Sequence, residues 1–311
     1  MDTSTIITTV FSLIIVFLFA VQKFSHQIQR VAGDRLKNFL NNWTSTPIKG
    51  VLSGTLLTTI LQSSTATTVI LVGLVNASII TSRNALGVVI GANIGPSISA
   101  QLVALNMTYI APIIVIVGFI ISHTKTRFKR YGKAIFYFGV VFLSLFIIAN
   151  IISPLKDNVD FQNILVAMSN PYKAIIAGAI ITAILQSSSV FTGIVIILGS
   201  QGLITLPAAI GFMLGSNIGS PLTAIVASTS ASFEAKKVAI AQILFNILGV
   251  LIFIPLIYPF MSLLEIISQN ETQQIVNAHF LFNIICAILC LTFFDKFEKL
   301  VKQTTKIVYK N

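Results

Sequence analysis

Charge is what this chain has least of. Among 311 residues only 9% are Asp, Glu, Lys or Arg, against about 25% in an ordinary soluble domain. Carboxylates are scarcest, nine against 20 cations. Such a shortage excludes a disordered chain, which combines high charge with low hydrophobicity, and argues against a soluble enzyme. The only two cysteines, Cys286 and Cys290, lie four apart inside an apolar run. A disulfide or metal pair needs a wet, ligand-rich setting, so they read as helix packing. No basic segment precedes the first apolar run, residues 5–21, which reads as a first spanning helix and not a cleaved signal.

What is present is apolar, 55% of the chain. No charged residue occurs from Gly50 to Ser82, Asn84 to Thr124, Ala134 to Leu155, Ala174 to Phe233, Val238 to Leu264 or Thr272 to Phe294. A spanning helix needs about 20 such residues. The composition therefore describes an all-α polytopic membrane protein with little mass outside the bilayer.

The net charge of +11 would suggest nucleic acid in a soluble protein. Here the cations are segregated, which is a topogenic pattern, and no nucleic-acid partner is expected. Lys23–Lys49, Arg83, Lys125–Lys133, Lys236–Lys237 and the tail from Lys296 hold 18 of the 20 cations, leaving Lys156 and Lys173. The bias places the basic side in the cytoplasm of a multi-pass cell-membrane protein, with the N-terminus outside and the C-terminus inside. Spans are expected at about 4–22, 84–105, 108–122, 133–153, 204–229, 237–260 and 275–294. Regions 47–80 and 171–203 each lie between loops of like side, so each is a hairpin that enters and leaves on one face. Charge does not say whether it turns back mid-membrane or crosses twice.

The chain repeats itself at an offset of 124. Residues 47–100 align without a gap on 171–224 with 21 identities in 54 positions. The densest matches pair Thr58–Thr65 (TTILQSST) with Thr182–Ser189 (TAILQSSS), and Gly91–Gly95 (GANIG) with Gly215–Gly219 (GSNIG). Three expected spans separate the copies, and an odd number inverts the second. One transport domain of 1–311 follows: a first span and basic loop (1–46), repeat one (47–153) and repeat two (171–294). Inverted repeats give secondary carriers two mirrored access states around one site.

Four consecutive polar residues cannot share one helix seam, because successive residues turn by about 100°. Gln62-Ser63-Ser64-Thr65 and Gln186-Ser187-Ser188-Ser189 therefore fit the turns of re-entrant hairpins, where irregular backbone is allowed if it lines a cavity. The free amides at the next helix N-terminus attract anions. Hydroxyl, amide and carbonyl oxygens suit Na⁺, as they suit other hard cations. Gly-x-Asn-Ile-Gly, followed by Pro96 or Pro221, reads as a break in a spanning helix. The alternative is close helix packing through small residues. No acid or base lies in these regions, which argues against a proton relay. With no Lys or Arg to neutralise it, a bound divalent oxyanion needs co-bound cations, so Na⁺ coupling is expected.

These doubled motifs resemble those of the type II sodium-phosphate cotransporter family, over about 45–295. His279-Phe280-Leu281-Phe282-Asn283 is similar to the family's later His-x-x-Phe-Asn element, and Gln242-Ile243-Leu244-Phe245-Asn246 echoes it. The resemblance implies Na⁺-driven symport of inorganic phosphate with no other cofactor. It places substrate and ion contacts on Gln62, Ser63, Ser64, Thr65, Gln186, Ser187, Ser188 and Ser189, and on Asn93 and Asn217. Na⁺ is expected on oxygens of Gln62, Asn93, Gln186, Asn217 and Thr223. Thr65 stands where the family often has Ser, and Pro96 replaces a usual hydroxyl residue that Ser220 keeps in the second copy. Many bacterial relatives add a helical module resembling the PhoU regulator. The sequence runs 17 residues past the last expected span, so none is expected here.

Among single residues, His279 reads as an interhelical bridge or a proton shuttle, and Gln242, Asn246 and Asn283 as interhelical bridges or neighbours of an ion site. His26 and His123 read as solvated loop residues, and Trp43 as an interfacial anchor. Ser25–Asn42 reads as an amphipathic helix on the inner leaflet, and the basic tail as a headgroup-facing segment. An intramembrane enzyme needs a nucleophile with a base, and Ser63 and Ser187 have no His or Lys near them in sequence. A fixed pore suits mirrored hairpins less well than a carrier. Exporters and carriers of other small anions remain alternatives on the same scaffold. Self-association into a homo-oligomer is left open.

Overall fold

The computed structural model describes residues 3–32, 39, 43–104, 110–126, 128–154 and 158–309, and these form helices without strands. The helices are α1 (Thr3–Ala32), α2 (Pro47–Leu61), α3 (Ser64–Asn76), α4 (Ser82–Ala104), α5 (Ala111–His123), α6 (Lys129–Ile152), α7 (Val159–Ala167), α8 (Pro171–Leu185), α9 (Ser188–Ser200), α10 (Leu206–Gly219), α11 (Leu222–Ser228), α12 (Phe233–Phe253), α13 (Ile257–Ile267), α14 (Glu271–Thr292) and α15 (Phe294–Val308). Five stretches are long and apolar enough to cross a membrane: Ser4–Val31, Lys129–Ile152, Leu206–Ser228, Phe233–Ile267 and Glu271–Thr292. The all-α polytopic reading holds.

Helix starts follow local chemistry. Thr46 caps α2, accepting from the Lys49 N–H, with Pro47 at the first position. Asn170 and Pro171 do the same for α8. A side-chain oxygen takes up an amide the helix cannot satisfy, and proline costs nothing where no bond would form. Each pair of short helices, α2 with α3 and α8 with α9, has arms of 15 and 13 residues. At 1.5 Å per residue the arms are about 22 and 20 Å long, shorter than the roughly 30 Å hydrocarbon layer.

Each first arm lies against a later helix at backbone distance, α2 on α4 and α8 on α10. A Cβ on Gly91 would sit 1.9 Å from the Val51 carbonyl oxygen, and one on Gly215 would sit 2.1 Å from that of Ile175. The glycines of the Gly-x-Asn-Ile-Gly motifs thus serve close packing. The expected break in the first copy is absent: α4 is continuous from Ser82 to Ala104 with Pro96 inside it. Neighbouring side chains take up backbone groups there. The Thr55 hydroxyl donates to the Gly91 carbonyl at 3.2 Å and Thr59 to Gly95 at 3.4 Å, contacts that tie α2 to α4. In the second copy helix α10 ends at Gly219 and α11 starts at Leu222, so Ser220 and Pro221 do interrupt the helix.

Other bounds shift. The first helix runs past Lys23 to Ala32, so His26 is on a helix and not in a loop. The rest of the expected amphipathic segment falls largely at residues 33–38 and 40–42, outside the described residues. The same holds for 105–109, where spans 84–105 and 108–122 were expected to meet. Helix α12 continues through a 3₁₀ turn at Ile254–Leu256 into α13, so the expected loop from 261 is helical to Ile267.

Two apolar clusters organise the packing. The larger spans α2–α4, α8–α10 and α12–α15, with Leu57, Leu86, Ile90, Ile196 and Ile210 fully buried. The smaller, including Ile6, Phe17, Leu145 and Ile148, holds α1 to α6 and α9. The tail forms α15, whose Phe294, Phe297, Val301 and Thr305 face inward. Arg83 clamps it by ion pairs to Asp295, at 2.6 Å, and to Glu298.

Candidate functional site

The two Gln-Ser-Ser motifs fold identically. Gln62 (φ 57°, ψ 23°) and Gln186 (φ 55°, ψ 24°) end their arms in the left-handed region. Ser63 and Ser187 then cap the next helices, accepting from Ala66 N–H at 3.0 Å and Val190 N–H at 3.4 Å. A left-handed residue that is not glycine costs roughly 1–2 kcal/mol, and such strain persists where the surroundings enforce it, often at functional sites. In the first hairpin Thr58 and Thr67 join the arms by a 2.9 Å hydroxyl bond. The second keeps Thr182 but has Phe191 opposite, leaving the buried Thr182 hydroxyl without a partner.

The tips meet. Gln62–Thr65 and Gln186–Ser189, with Ser220 and Thr223 from the α10–α11 break, line one cavity of about 360 Å³. Water's share of liquid volume is about 30 Å³, so the space accepts a small oxyanion with ions and water. The buried Thr223 hydroxyl has no hydrogen-bond partner. Gln62 and Ser189 also border a smaller cavity of about 60 Å³, walled by Phe17, Phe138, Phe142 and Leu145. The tips therefore divide a polar chamber from an apolar one.

Nine of the eleven expected site residues are brought together in this way. Asn93 and Asn217 are not. Asn93 Nδ2 donates to Gln242 Oε1 at 3.3 Å, and Gln242 Nε2 donates to Asn93 Oδ1 at 2.8 Å. Thr68 adds a 3.4 Å bond to Gln242 Oε1. This satisfied buried pair ties α4 to α12. Asn217 Nδ2 turns back to the Met213 carbonyl at 2.9 Å. Gln242→Leu should leave Asn93 half-paired at a cost of about 1–3 kcal/mol, whereas Asn93→Leu/Gln242→Leu recovers much of that. Thermal unfolding in detergent should show the double variant melting above Gln242→Leu.

The chamber has a wall that motif reading missed. Gln22, Ser25, His26 and Gln29 of α1 line it. Their spacing of i, i+3, i+4 and i+7 marks one helix face, a signal present in the sequence but hidden by ending the span at Lys23. No Asp, Glu, Lys or Arg lines the chamber among the described residues.

Known proteins resemble this chain in sequence. A family model described as Na+/Pi-cotransporter matches residues 16–150 and again 158–293. The YqeW protein of Bacillus subtilis, uncharacterised, is 29% identical over 93% of this chain and 95% of its own. YjbB of Salmonella typhimurium, named as a candidate inorganic phosphate export protein, is 24% identical over 89% of this chain, which spans only 51% of YjbB. The human sodium-dependent phosphate transport protein 2C is 42% identical over 26% of this chain and 14% of its own. No solved structure matches. The doubled family match, covering nearly the whole chain, shows that this protein belongs to the Na⁺/Pi-cotransporter family.

Proposed function

We propose that the protein is a secondary carrier that couples movement of inorganic phosphate across the cell membrane to Na⁺, by alternating access. The observation that carries this reading is the convergence of the two Gln-Ser-Ser tips on one hydroxyl-rich chamber that no Asp, Glu, Lys or Arg lines among the described residues. Phosphate takes donors from the serine hydroxyls and from the first amides of α3 and α9, where helix dipoles favour an anion. Na⁺ takes oxygens of Gln62, Gln186 and Thr223, and its charge offsets that of phosphate in a chamber without Lys or Arg. Asn93 and Asn217 serve as supports behind the tips.

By the charge bias, the basic end of α1 is cytoplasmic. The chamber lies along that end, beside Gln22–Gln29, so this conformation faces inward. The aromatic-walled chamber beyond the tips is then the closed outer path. The second copy, inverted if the three expected spans between the hairpins all cross, supplies the opposite state. Net export is the second reading, favoured by the phosphate-export name of YjbB; the same site serves both, and the ion gradient sets direction.

The test is flux of labelled phosphate into proteoliposomes. Saturable uptake driven by an inward Na⁺ gradient, and at least about tenfold slower with choline, is expected. Uptake that ignores Na⁺ overturns the coupling, and absence of phosphate flux in either direction overturns the substrate.

A further inference from the structure

Resting on the carrier reading above, the geometry points to His26 as a substrate-contacting residue: its imidazole, the one ionisable side chain among the described residues that line the chamber, strengthens phosphate binding when it carries a proton.

The argument begins with α1. Its first 20 residues are apolar and lie partly against α6 through the cluster of Phe17, Leu145 and Ile148. Further along, polarity concentrates on one face. Gln22, Ser25, His26 and Gln29 project within about 100° of one another, and all four border the chamber that holds both Gln-Ser-Ser tips. Ser25 is buried, and Gln29 Nε2 donates to its hydroxyl at 3.3 Å. The opposite face carries Phe24, whose ring lies 5.5 Å from that of Phe138 on α6. The polar stripe is thus held toward the tips by apolar packing behind it. Lipid cannot satisfy such groups, but a hydrated anion in the chamber can.

His26 is distinct because it is the one ionisable group among the residues lining the chamber. Imidazole is the side chain that changes charge between pH 8 and 5. The elements packed against it carry other ionisable groups. On its own helix are Lys23, whose ammonium sits over the Phe19 ring at 5.2 Å, and Arg30. From α6, behind α1, the ionisable residues are Lys129, Arg130, Tyr131 and Lys133 in its first turns and Tyr137, whose ring meets that of Phe19 at 6.2 Å. Lys49 of α2 is bonded to Ser45, and α9 has no ionisable side chain. Among the described residues no carboxylate lines the chamber, so a bound oxyanion is the counter-ion of an imidazolium there. A cation a few ångströms from a phosphate in a partly wet chamber is worth about fivefold or more in affinity.

The experiment compares wild-type protein with His26→Gln and His26→Lys in proteoliposomes at saturating Na⁺, from pH 5.5 to 8. Phosphate itself titrates in this range, so the quantity read is the ratio of apparent phosphate KM between variant and wild type at the same pH, from which the titration of phosphate cancels. The KM of His26→Gln should exceed that of wild type by about fivefold at the acid end and match it at pH 8. His26→Lys should match wild type at the acid end and bind about fivefold tighter at pH 8. Both ratios flat across the range, with wild type and variants transporting, overturn the role of His26 and leave the carrier reading intact. Lack of Na⁺-driven phosphate flux in wild type overturns the carrier reading instead. A uniform loss in His26→Gln that His26→Lys does not rescue marks a packing role and also overturns the proposal.

Discussion

Gly91→Ala should leave little folded protein, and Gly215→Ala should do the same. The methyl group is small, but there is no room for it. On Gly91 it would lie 1.9 Å from the Val51 carbonyl oxygen and 2.8 Å from the Thr55 amide nitrogen. On Gly215 it meets the Ile175 oxygen at 2.1 Å and the Ala179 nitrogen at 2.8 Å. These are backbone atoms of α2 and α8, which cannot rotate away as a side chain can. Relief requires a first hairpin arm to move off its partner helix by more than an ångström. That movement breaks the Thr55–Gly91 bond and opens the packing along the whole contact. Overpacking costs typically 1–3 kcal/mol and more when backbone must shift, while in lipid helix association relies on close packing. A loss of at least about 3 kcal/mol is expected, a large share of a protein's whole stability. Gly73 provides the control, since a Cβ there meets nothing within 4 Å. Gly73→Ala in the middle of α3 should stabilise by about 0.5–1 kcal/mol. Size-exclusion profiles and melting in detergent read all three. Wild-type melting of Gly91→Ala would show that α2 and α4 are not in backbone contact.

The hairpins were legible because the chain states them twice. Polar tetrads at one offset, each inside an uncharged run, leave few arrangements that avoid lipid, and the tips do converge. Failures came where a local signal was overruled by a distant partner. Pro96 with two glycines reads as a break, yet α4 stays helical, packed at backbone distance on α2, whose Thr55 and Thr59 hydroxyls, 36 residues away in sequence, meet its Gly91 and Gly95 carbonyls. The pairing of the Asn93 amide with Gln242, 149 residues further on, is likewise a contact that no local signal gives. Lys23 reads as the end of a span because charge is costly in lipid. A lysine can bury its stem and lift its ammonium away, and here the ammonium rests over Phe19 while the helix continues. Ending the span there concealed the stripe from Gln22 to Gln29, the third wall of the chamber.

Ser63→Asp and Ser187→Asp should abolish phosphate transport in protein that remains folded. The serines have two roles that alanine cannot separate. Each caps a half-helix, Ser63 through Ala66 N–H and Ser187 through Val190 N–H, and each hydroxyl faces the chamber. Ser63→Ala loses the cap, worth about 1 kcal/mol, together with a donor to the anion, worth about 1.5–3 kcal/mol when the acceptor is charged. Its apparent phosphate affinity should fall about 10- to 100-fold, but a skeptic can attribute that to a loosened tip. Aspartate removes the ambiguity. It caps as well as serine, and a carboxylate at a helix N-terminus gains from the dipole. The water-accessible chamber keeps its solvation cost modest, so melting should stay near or above wild type. The new charge sits where phosphate must bind. Like charges about 4 Å apart repel by about 1–4 kcal/mol between water-like and surface-like dielectrics, and the carboxylate also replaces the lost donor with an acceptor. Na⁺ should still bind, and more tightly, because the added oxygens are anionic. Na⁺-dependent protection against thermal unfolding in both Asp variants, with no phosphate flux, is the expected pair of results. A folded Asp variant that carries phosphate with unchanged apparent affinity would remove that tip from the site, and if both did so, phosphate would have to bind outside the chamber the two motifs enclose.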